Sequence, residues 1–323
     1  MTAPTVALLS LIVVYAAGVE LVTRRVLDPG SKVQRVLKQE LLNSAALRPA
    51  APGQPKSVLL AGNSLLDAAV DFPRLNEELE PDWRASRLVV FDTNYTDWHF
   101  GLMRLLESGV RPDAIAVFLS PTQLMRNAVR GGYFAHYLMR PEDLAGVVQA
   151  TGMHPTEASG LLLARYSLFY GIRVQLRNLI LAELFPHLPE LMRASPAPAT
   201  PKTQVSREEI ELRLRNLDGI AHRYGVRLVL VLPPLPSDDP KNRFASVVEA
   251  GARSGVSVLN PLPAGELPRS AFPDGLHAGK EGAGTYTKAL GPSLRRWLAS
   301  SPSQAPGRPA PFEPGERERK PAH

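Results

Sequence analysis

The chain contains no cysteine among its 323 residues. This absence excludes disulfide bonds, thiolate metal sites and cysteine nucleophiles, although it leaves the redox compartment open. The seven histidines follow no His-Glu-x-x-His or comparable ligand spacing, so the sequence predicts no metal site. The glycines at 279, 282 and 284 lack the Lys-Ser/Thr ending of a Walker motif. They also lack the placement after a strand that a Rossmann motif has, so we expect no nucleotide cofactor.

The chain also lacks a basic block with interleaved aromatic side chains. Its net charge of +6 is carried mostly by arginines spread along the chain, which suits anionic lipid or acidic glycan surfaces. Without a basic block, we expect no nucleic-acid partner. Hydrophobic and charged contents of 44% and 21% are those of a globular protein, and a chain of this length can bury a sizeable core.

No charged side chain occurs before Glu20. The apolar run at 3–22 has about the length that a helix needs to cross a bilayer core, roughly 20 residues. It has no basic region before it, and the sequence Tyr-Ala-Ala-Gly at 15–18 is a poor cleavage site. We therefore predict an uncleaved transmembrane anchor over residues 1–24, with a buried core helix as the alternative.

Four basic residues follow the apolar run, namely Arg24, Arg25, Lys32 and Arg35. The positive-inside rule would keep these residues, and the domain after them, in the cytoplasm. The function that the motifs below imply favours the opposite side. We therefore predict a single-pass membrane protein with an extracytoplasmic domain, in conflict with the charge rule.

Beyond the anchor, short apolar runs alternate with helical patterns. A helical stalk and a linker rich in proline and alanine are predicted over 25–56. Strands are predicted at 57–61, 87–91, 114–119, 226–232 and 256–259. Several of these runs are almost wholly apolar, which is typical of strands buried on both faces of a parallel sheet. The alternation predicts an α/β sandwich with a mostly parallel sheet over 57–299, followed by a disordered tail over 300–323.

The segment 130–205 interrupts this alternation between the third strand and the helix before the fourth. It carries helical patterns at 141–149 and 160–183. We predict a helical insertion that serves as a lid or a partner surface, with helices that only extend the core as the alternative. Tyr133, His136 and Tyr137 could line a pocket there or pack together as an aromatic cluster.

The first strand ends in Ala-Gly-Asn-Ser, with Ser64 at the turn into a helix. A serine at this place lies at the carboxyl end of the sheet, where open α/β folds bind their ligands. Its backbone N–H at the helix N-terminus can stabilise a developing oxyanion. The alternative is a serine that only caps the helix.

A second motif, Phe272-Pro-Asp-Gly-Leu-His277, lies in a loop before the last helix. A histidine three residues after an aspartate in this loop can approach a serine at the sheet edge from above. His277 would take the hydroxyl proton of Ser64 and return it to the leaving group, while Asp274 orients the imidazole. The alternative is an aspartate that caps a turn beside an exposed histidine.

Together, the two motifs resemble the first and fifth sequence blocks of the SGNH (GDSL-type) superfamily of ester hydrolases and acyltransferases. Asn63-Ser64-Leu65 stands where that family has Asp-Ser-Leu, and residues 272–277 match the fifth block closely. The resemblance implies a three-layer α/β/α sandwich with a flavodoxin-like sheet. It also implies a triad of Ser64, Asp274 and His277 that hydrolyses or transfers an ester-linked acyl group, expected to be acetyl.

The two middle blocks of the family are degenerate in this chain. They normally supply a glycine and an asparagine that line the oxyanion hole with the N–H of the nucleophile. Here the second strand is followed by Asp92-Thr-Asn94, and the third by Ser120-Pro-Thr122-Gln123. Asn94 is the best candidate for one donor, and Thr122 or Gln123 for the other.

An anchor joined to such a domain is similar in architecture to bacterial accessory proteins that act beside membrane-bound O-acyltransferases. That similarity implies acyl transfer onto a cell-envelope polysaccharide, with a membrane-bound O-acyltransferase as partner. A non-catalytic SGNH-fold partner of such an enzyme is the alternative, and hydrolysis of phosphodiesters or lipids by the same triad is a third hypothesis. A distance between the serine and the imidazole well beyond hydrogen-bond reach would favour the binding role.

Overall fold

Five parallel strands form one sheet in the part of the chain that the computed structural model describes, residues 2–129, 132–185, 206–236 and 241–300. The strands are β1 Lys56–Gly62, β2 Trp83–Val89, β3 Ala114–Phe118, β4 Arg227–Val231 and β5 Val258–Leu259. Their order across the sheet is β2-β1-β3-β4-β5, which is the flavodoxin-like order of doubly wound folds. The predicted fold class is confirmed.

Helices cover both faces of this sheet. One face carries the helices Ser64–Ala69, Phe72–Leu79 and Lys280–Ala299, and the other carries Lys32–Ala45, Tyr95–Glu107, Arg207–Arg223 and Lys241–Ser254. Successive side chains of a strand point to opposite faces. Along β1, Leu59 packs into one helical layer while Val58 and Leu60 pack into the other. Both faces are therefore buried at the centre of the sheet, which explains why β3 and most of β1 and β4 are apolar without alternation.

The last helix, Lys280–Ala299, is fixed both to the sheet and to the segment after Ser64. The fully buried Tyr286 donates a hydrogen bond from its hydroxyl to Leu232 O at 2.9 Å. Thr287 Oγ1 accepts one from Asp71 N at 2.9 Å. Because the loop with His277 immediately precedes this helix, these bonds set the position of the loop over the sheet.

The described part of the insertion is helical and packs into the same core as the sheet. Its elements are the helices Gly132–Tyr137, Leu144–Thr151, Pro155–Tyr166 and Leu168–Leu184 and a 3-10 turn at Pro141–Asp143. Phe134 and Val147 are fully buried there. The pattern predicted at 160–183 is two helices, because Ser167 ends the first and caps the second by accepting a hydrogen bond from Tyr170 N at 3.1 Å. Residues 186–205 of the predicted insertion lie outside the described residues.

Tyr133, His136 and Tyr137 pack as a cluster against the helix that precedes the sheet. The Tyr137 hydroxyl donates to the buried Gln34, and the His136 ring stands edge-on to that of Tyr137 at 4.8 Å. Burial raises the pKa of Tyr133 to about 12 against the effect of its hydrogen bond with Gln34, and the charge of Asp92 adds to the rise. The cluster is therefore part of the core, as one of the two alternatives predicted.

The helix Ala3–Val22 buries none of its side chains, and it is long and apolar enough to span a membrane. It continues through a π-helical turn, Thr23–Leu27, and a short helix, Asp28–Gly30. An apolar surface of that length is stable only in contact with lipid or another apolar surface.

The helix Lys32–Ala45, in the predicted stalk, lies directly against the edge strand β2. Leu37 is 1% exposed within the main core, which is the apolar cluster on the face of the sheet that also carries the helix Tyr95–Glu107. Glu40 Oε2 accepts a hydrogen bond from Val89 N at 2.8 Å, and Glu40 Oε1 pairs with Arg87 Nε at 2.5 Å. Burial raises the pKa of Glu40, although the bonds to Val89 and Arg87 act in the other direction. The predicted boundaries at 24, 56 and 299 stay predictions, and only Ser300 of the predicted tail lies within the described residues.

Candidate active site

Ser64 is the first residue of the helix Ser64–Ala69, at the carboxyl end of β1. The strand approaches its neighbours closely just before it, because a Cβ at Gly62 would lie 2.9 Å from the Cβ atoms of both Leu66 and Phe118. The cap of the helix is Asn63, whose Oδ1 accepts a hydrogen bond from Leu65 N at 3.0 Å. Since Asn63 caps the helix, the hydroxyl of Ser64 is free for another partner.

The loop before the last helix folds around the carboxylate of Asp274. Asp274 Oδ1 accepts hydrogen bonds from Leu276 N at 2.9 Å and His277 N at 2.7 Å. Gly275 adopts a φ of +80°, in the region that favours glycine, and this lets the chain turn back onto the carboxylate. The turn brings Asp274 Oδ2 within 2.6 Å of His277 Nδ1.

The other ring nitrogen of His277 reaches the serine. His277 Nε2 lies 2.9 Å from Ser64 Oγ, across 213 positions of sequence. An Nδ1–H that donates to Asp274 leaves Nε2 as the acceptor for the serine hydroxyl, so the contacts assign this tautomer. The three residues that the sequence predicted are thus brought into one hydrogen-bonded chain, with distances in the range required of a nucleophile and its base.

The carboxylate of Asp274 is ionised. Partial burial acts to raise the pKa of Asp274, but the hydrogen bonds from His277 and Leu276 outweigh it and lower this pKa to about 2. The side chains of Asp274 and His277 are 53% and 32% exposed, so solvent screens their mutual attraction. Both side chains are therefore accessible from solvent.

The position after β2, where a family glycine is missing, holds a left-handed residue. Asp92 has a φ of 59°, a conformation that aspartate tolerates better than most side chains. The backbone conformation there is thus one that favours glycine, although the residue differs. No residue pattern signals this conformation, because only the backbone angle reveals it.

Asn94 is placed beside the serine turn. Asn63 Nδ2 donates to Thr93 O at 2.8 Å, which ties the residues before Ser64 to those before Asn94. The backbone N–H of Asn94 donates to Asp97 Oδ2 at 2.8 Å. Asn94 is 3% exposed, and its side-chain Nδ2 makes no hydrogen bond within the described residues. A buried amide N–H without an acceptor costs free energy, but none of the hydrogen bonds in the described part of the chain places Asn94 Nδ2 at Ser64.

Thr122 and Gln123 point their polar groups to other partners. Gln123 Oε1 accepts from Ser120 N at 3.0 Å, and Ser120 Oγ accepts from Gln123 N at 3.2 Å, which caps the helix Pro121–Met125. Thr122 Oγ1 accepts from Arg243 Nη1 at 3.3 Å. Neither side chain is hydrogen-bonded to the serine, so the prediction that one of them supplies an oxyanion donor gains no support from these contacts.

No family model matches the chain, and no curated protein matches it. Solved structures do match. Structural neighbours of the chain are SGNH-type hydrolases. A GDSL-like lipase from Bacteroides thetaiotaomicron is 8% identical with a TM-score of 0.42, over 81% of this chain and 96% of that one. TesA is 12% identical with a TM-score of 0.36, over 75% and 99%.

These identities and scores are low, so the chemistry assigned to this chain depends on its own residues. Sequence reasoning missed the role of Asn63, which both caps the helix of Ser64 and holds the segment before Asn94. Its signal was an asparagine directly before the serine, since asparagine is a favoured cap. Within the described ranges, no group of three or more His, Asp or Glu side chains is placed to hold a metal ion.

Proposed function

We propose that the chain is a membrane-anchored serine ester hydrolase or O-acyltransferase of the SGNH type. The observation that carries the proposal is the 2.9 Å distance between Ser64 Oγ and His277 Nε2, with Asp274 bound to the other ring nitrogen. A binding role needs neither contact. For a nucleophile and its general base, this geometry is the first requirement.

The reaction proceeds in two halves. Ser64 Oγ attacks the carbonyl carbon of an ester while His277 Nε2 takes the hydroxyl proton. The bond to the leaving alcohol then breaks, the imidazolium gives its proton to the leaving oxygen, and an acyl-serine remains. His277 next takes a proton from water or a sugar hydroxyl, whose oxygen attacks the acyl carbon. As the bond between the acyl carbon and Ser64 Oγ breaks, the imidazolium gives this proton to Ser64 Oγ and the free enzyme returns. Asp274 stays ionised and holds the ring tautomer throughout.

The oxyanion of each tetrahedral intermediate needs hydrogen-bond donors. The backbone N–H of Ser64 is one, because the first N–H groups of a helix have no acceptor within the helix. The Nδ2 of Asn94 is the second, since it is buried and makes no hydrogen bond within the described part of the chain. Asn94 would thus replace one of the two donors that the family's middle blocks supply beside the N–H of the nucleophile.

The acyl group in this proposal is acetyl, and the substrate or acceptor is a cell-envelope polysaccharide. The diffuse net charge of +6 suits an acidic glycan, and the helix Ala3–Val22 would hold the site at the membrane on the extracytoplasmic side. The partner is a membrane-bound O-acyltransferase. A non-catalytic partner of such an enzyme is the second candidate, and it is favoured by the two degenerate middle blocks at 92–94 and 120–123, which lack the family's usual oxyanion donors.

A fluorophosphonate probe is expected to label the full-length protein in detergent. The reason is that a serine hydroxyl hydrogen-bonded to an imidazole is nucleophilic enough to displace fluoride from phosphorus. Ser64→Ala should reduce labelling to background in a gel read by fluorescence. A membrane-impermeant version of the probe should label intact cells without permeabilisation, because the proposed domain is extracytoplasmic.

Ser57→Ala is the matched control for this experiment. Ser57 lies near the opposite end of the same strand, where its hydroxyl donates to Asp113 Oδ2 at 3.2 Å, so the variant should label like the wild type. Labelling that persists in Ser64→Ala would contradict the assignment of the nucleophile. A wild-type protein that is folded but never labelled would favour the non-catalytic candidate.

Asn94→Ala is expected to lower kcat by about 10²- to 10³-fold, or about 2.7–4 kcal/mol, with little change in KM. The loss reflects one missing donor to a charge that develops only in the transition state. Steady-state hydrolysis of a chromogenic acetyl ester measures it. Asn43→Ala, on an exposed face of the helix Lys32–Ala45, should behave like the wild type. A folded Asn94→Ala variant with unchanged kcat would remove Asn94 from the oxyanion hole.

A further inference from the structure

The carboxylate of Glu20, in the last turn of the anchor helix, caps a helix of the insertion. Glu20 Oε2 accepts hydrogen bonds from Ser167 Oγ at 2.8 Å and Phe169 N at 3.1 Å, and Oε1 accepts one from Leu168 N at 2.9 Å. Arg24 Nε also pairs with Glu20 at 2.5 Å. The end of the anchor is therefore bonded to the insertion and differs from a loose tether.

Phe169 lies at the depth of the last turns of the anchor. It lines a cavity of about 370 Å³ together with anchor residues that include Tyr15, Gly18 and Val22. Tyr15 and Val22 are about 10 Å apart along the axis, at 1.5 Å per residue. With the anchor across the bilayer core, Phe169 therefore lies at the boundary of the apolar layer.

Around Phe169, the insertion exposes further large apolar side chains. Leu163, Tyr166 and Phe169 are 53%, 64% and 39% exposed. Leu163 and Tyr166 are three positions apart on one helix and so share a face. The end of this helix is also joined to the anchor, since Arg24 Nη2 donates to Tyr166 O at 3.3 Å. We call these three side chains the elbow surface.

Two features of the elbow surface suit a lipid interface. Tyrosine is enriched where an apolar core meets water at a membrane, because its ring is apolar and its hydroxyl polar. Exposed arginines lie beside it, Arg24, which donates to Tyr166 O, and Arg173 one turn after Phe169. Arginines close to a bilayer are attracted to anionic headgroups.

We propose that the elbow surface inserts into the boundary between headgroups and acyl chains of the bilayer that the anchor spans. The occupant is an anionic lipid surface, because the elbow surface is continuous with the anchor and is flanked by arginines. The inference rests on the anchoring part of the proposed function. Its consequence is that two points of contact fix the tilt of the domain relative to the membrane, whereas a single span bonded to the domain could tilt together with it.

The absence of cysteine allows a direct test with single labels. Leu163→Cys and Tyr166→Cys would each carry an environment-sensitive fluorophore in the full-length protein, reconstituted into vesicles of phosphatidylcholine and phosphatidylglycerol. We expect nitroxide lipids labelled near the headgroup to quench both labels several-fold more than a label at Leu212→Cys. Leu212 is 51% exposed on the helix Arg207–Arg223 and should be quenched by aqueous iodide instead.

Leu11→Cys, within the anchor, separates failure of the inference from failure of the anchor. If Leu11→Cys is quenched by nitroxides deep in the bilayer while both elbow labels behave like Leu212→Cys, the inference is overturned and the anchor stands. Elbow labels that stay exposed in pure lipid and become shielded only when a membrane protein is added also overturn it, in favour of a protein partner. Iodide quenching at Leu11→Cys would remove the anchor and the inference together.

Discussion

Replacing His277 with alanine is expected to lower kcat for an acetyl ester by about 10⁴- to 10⁶-fold, the loss found when this group is removed from serine hydrolases with such a triad. Nε2 lies 2.9 Å from Ser64 Oγ, so without the ring nothing takes the hydroxyl proton. Asp274→Asn should cost about 10⁴-fold, or about 5.5 kcal/mol, because an amide that donates to the ring stabilises the wrong tautomer. Steady-state kinetics with purified, folded variants measures both losses.

The combination of the two substitutions is the sharper measurement. Groups that act as one unit are strongly non-additive, so the double variant should be about as slow as His277→Ala alone. His222→Ala, at an exposed position of the helix Arg207–Arg223, is the matched histidine control and should keep wild-type kcat. Losses that add in full, or an Asp274→Asn variant within tenfold of the wild type, would contradict the proposal that this carboxylate holds the imidazole for catalysis.

The dependence on pH follows from the same contacts. Because the pKa of Asp274 is lowered to about 2, its carboxylate stays charged at any pH above about 3. Asp274 should therefore add no titration of its own to the activity of the wild type across the acidic and neutral range, which steady-state kinetics at a series of pH values measures. An activity loss on mild acidification belongs to another group of the site.

The sheet and the serine–histidine pair could be predicted from sequence because the physical signals were local. Apolar runs such as residues 114–119 show burial on both faces, and the structure places β3 there. Ser64 at a strand end and His277 before the last helix are both fixed by short motifs. Their distance of 2.9 Å depends on the order of the strands across the sheet. That order was implied only by the family resemblance.

The sequence-based predictions were incomplete where polar side chains cap helices or form buried hydrogen bonds. Gln123 was a candidate oxyanion donor because it follows the third strand, but its side-chain oxygen helps to cap its own helix. Ser167 breaks one predicted helix into two because Glu20, far away in sequence, helps to cap the second. The helix with Gln34 and Glu40 was predicted as a stalk, since buried polar side chains look exposed in a hydrophobic pattern. Each depends on a partner that spacing alone cannot supply.

Leu37→Ala is expected to lower the free energy of unfolding by about 2–5 kcal/mol. Leu37 is 1% exposed in the main core, so its removal leaves a cavity between the helix Lys32–Ala45 and the sheet. For a domain of this size, the melting temperature should fall by roughly 4–20 °C. Thermal unfolding of the full-length protein in detergent, followed by circular dichroism, measures the change.

Val33→Ala is the matched control, because Val33 lies on the same helix and is 38% exposed. It should change stability by no more than about 0.5 kcal/mol. An unchanged melting temperature for Leu37→Ala would mean that the helix is a stalk that does not support the domain. We expect the opposite, since Arg87 pairs with Glu40 on this helix and with Asp67 on the helix of Ser64. Loosening the segment next to the membrane should therefore also disturb the nucleophile, and fluorophosphonate labelling of Leu37→Ala should fall at temperatures below its melting point.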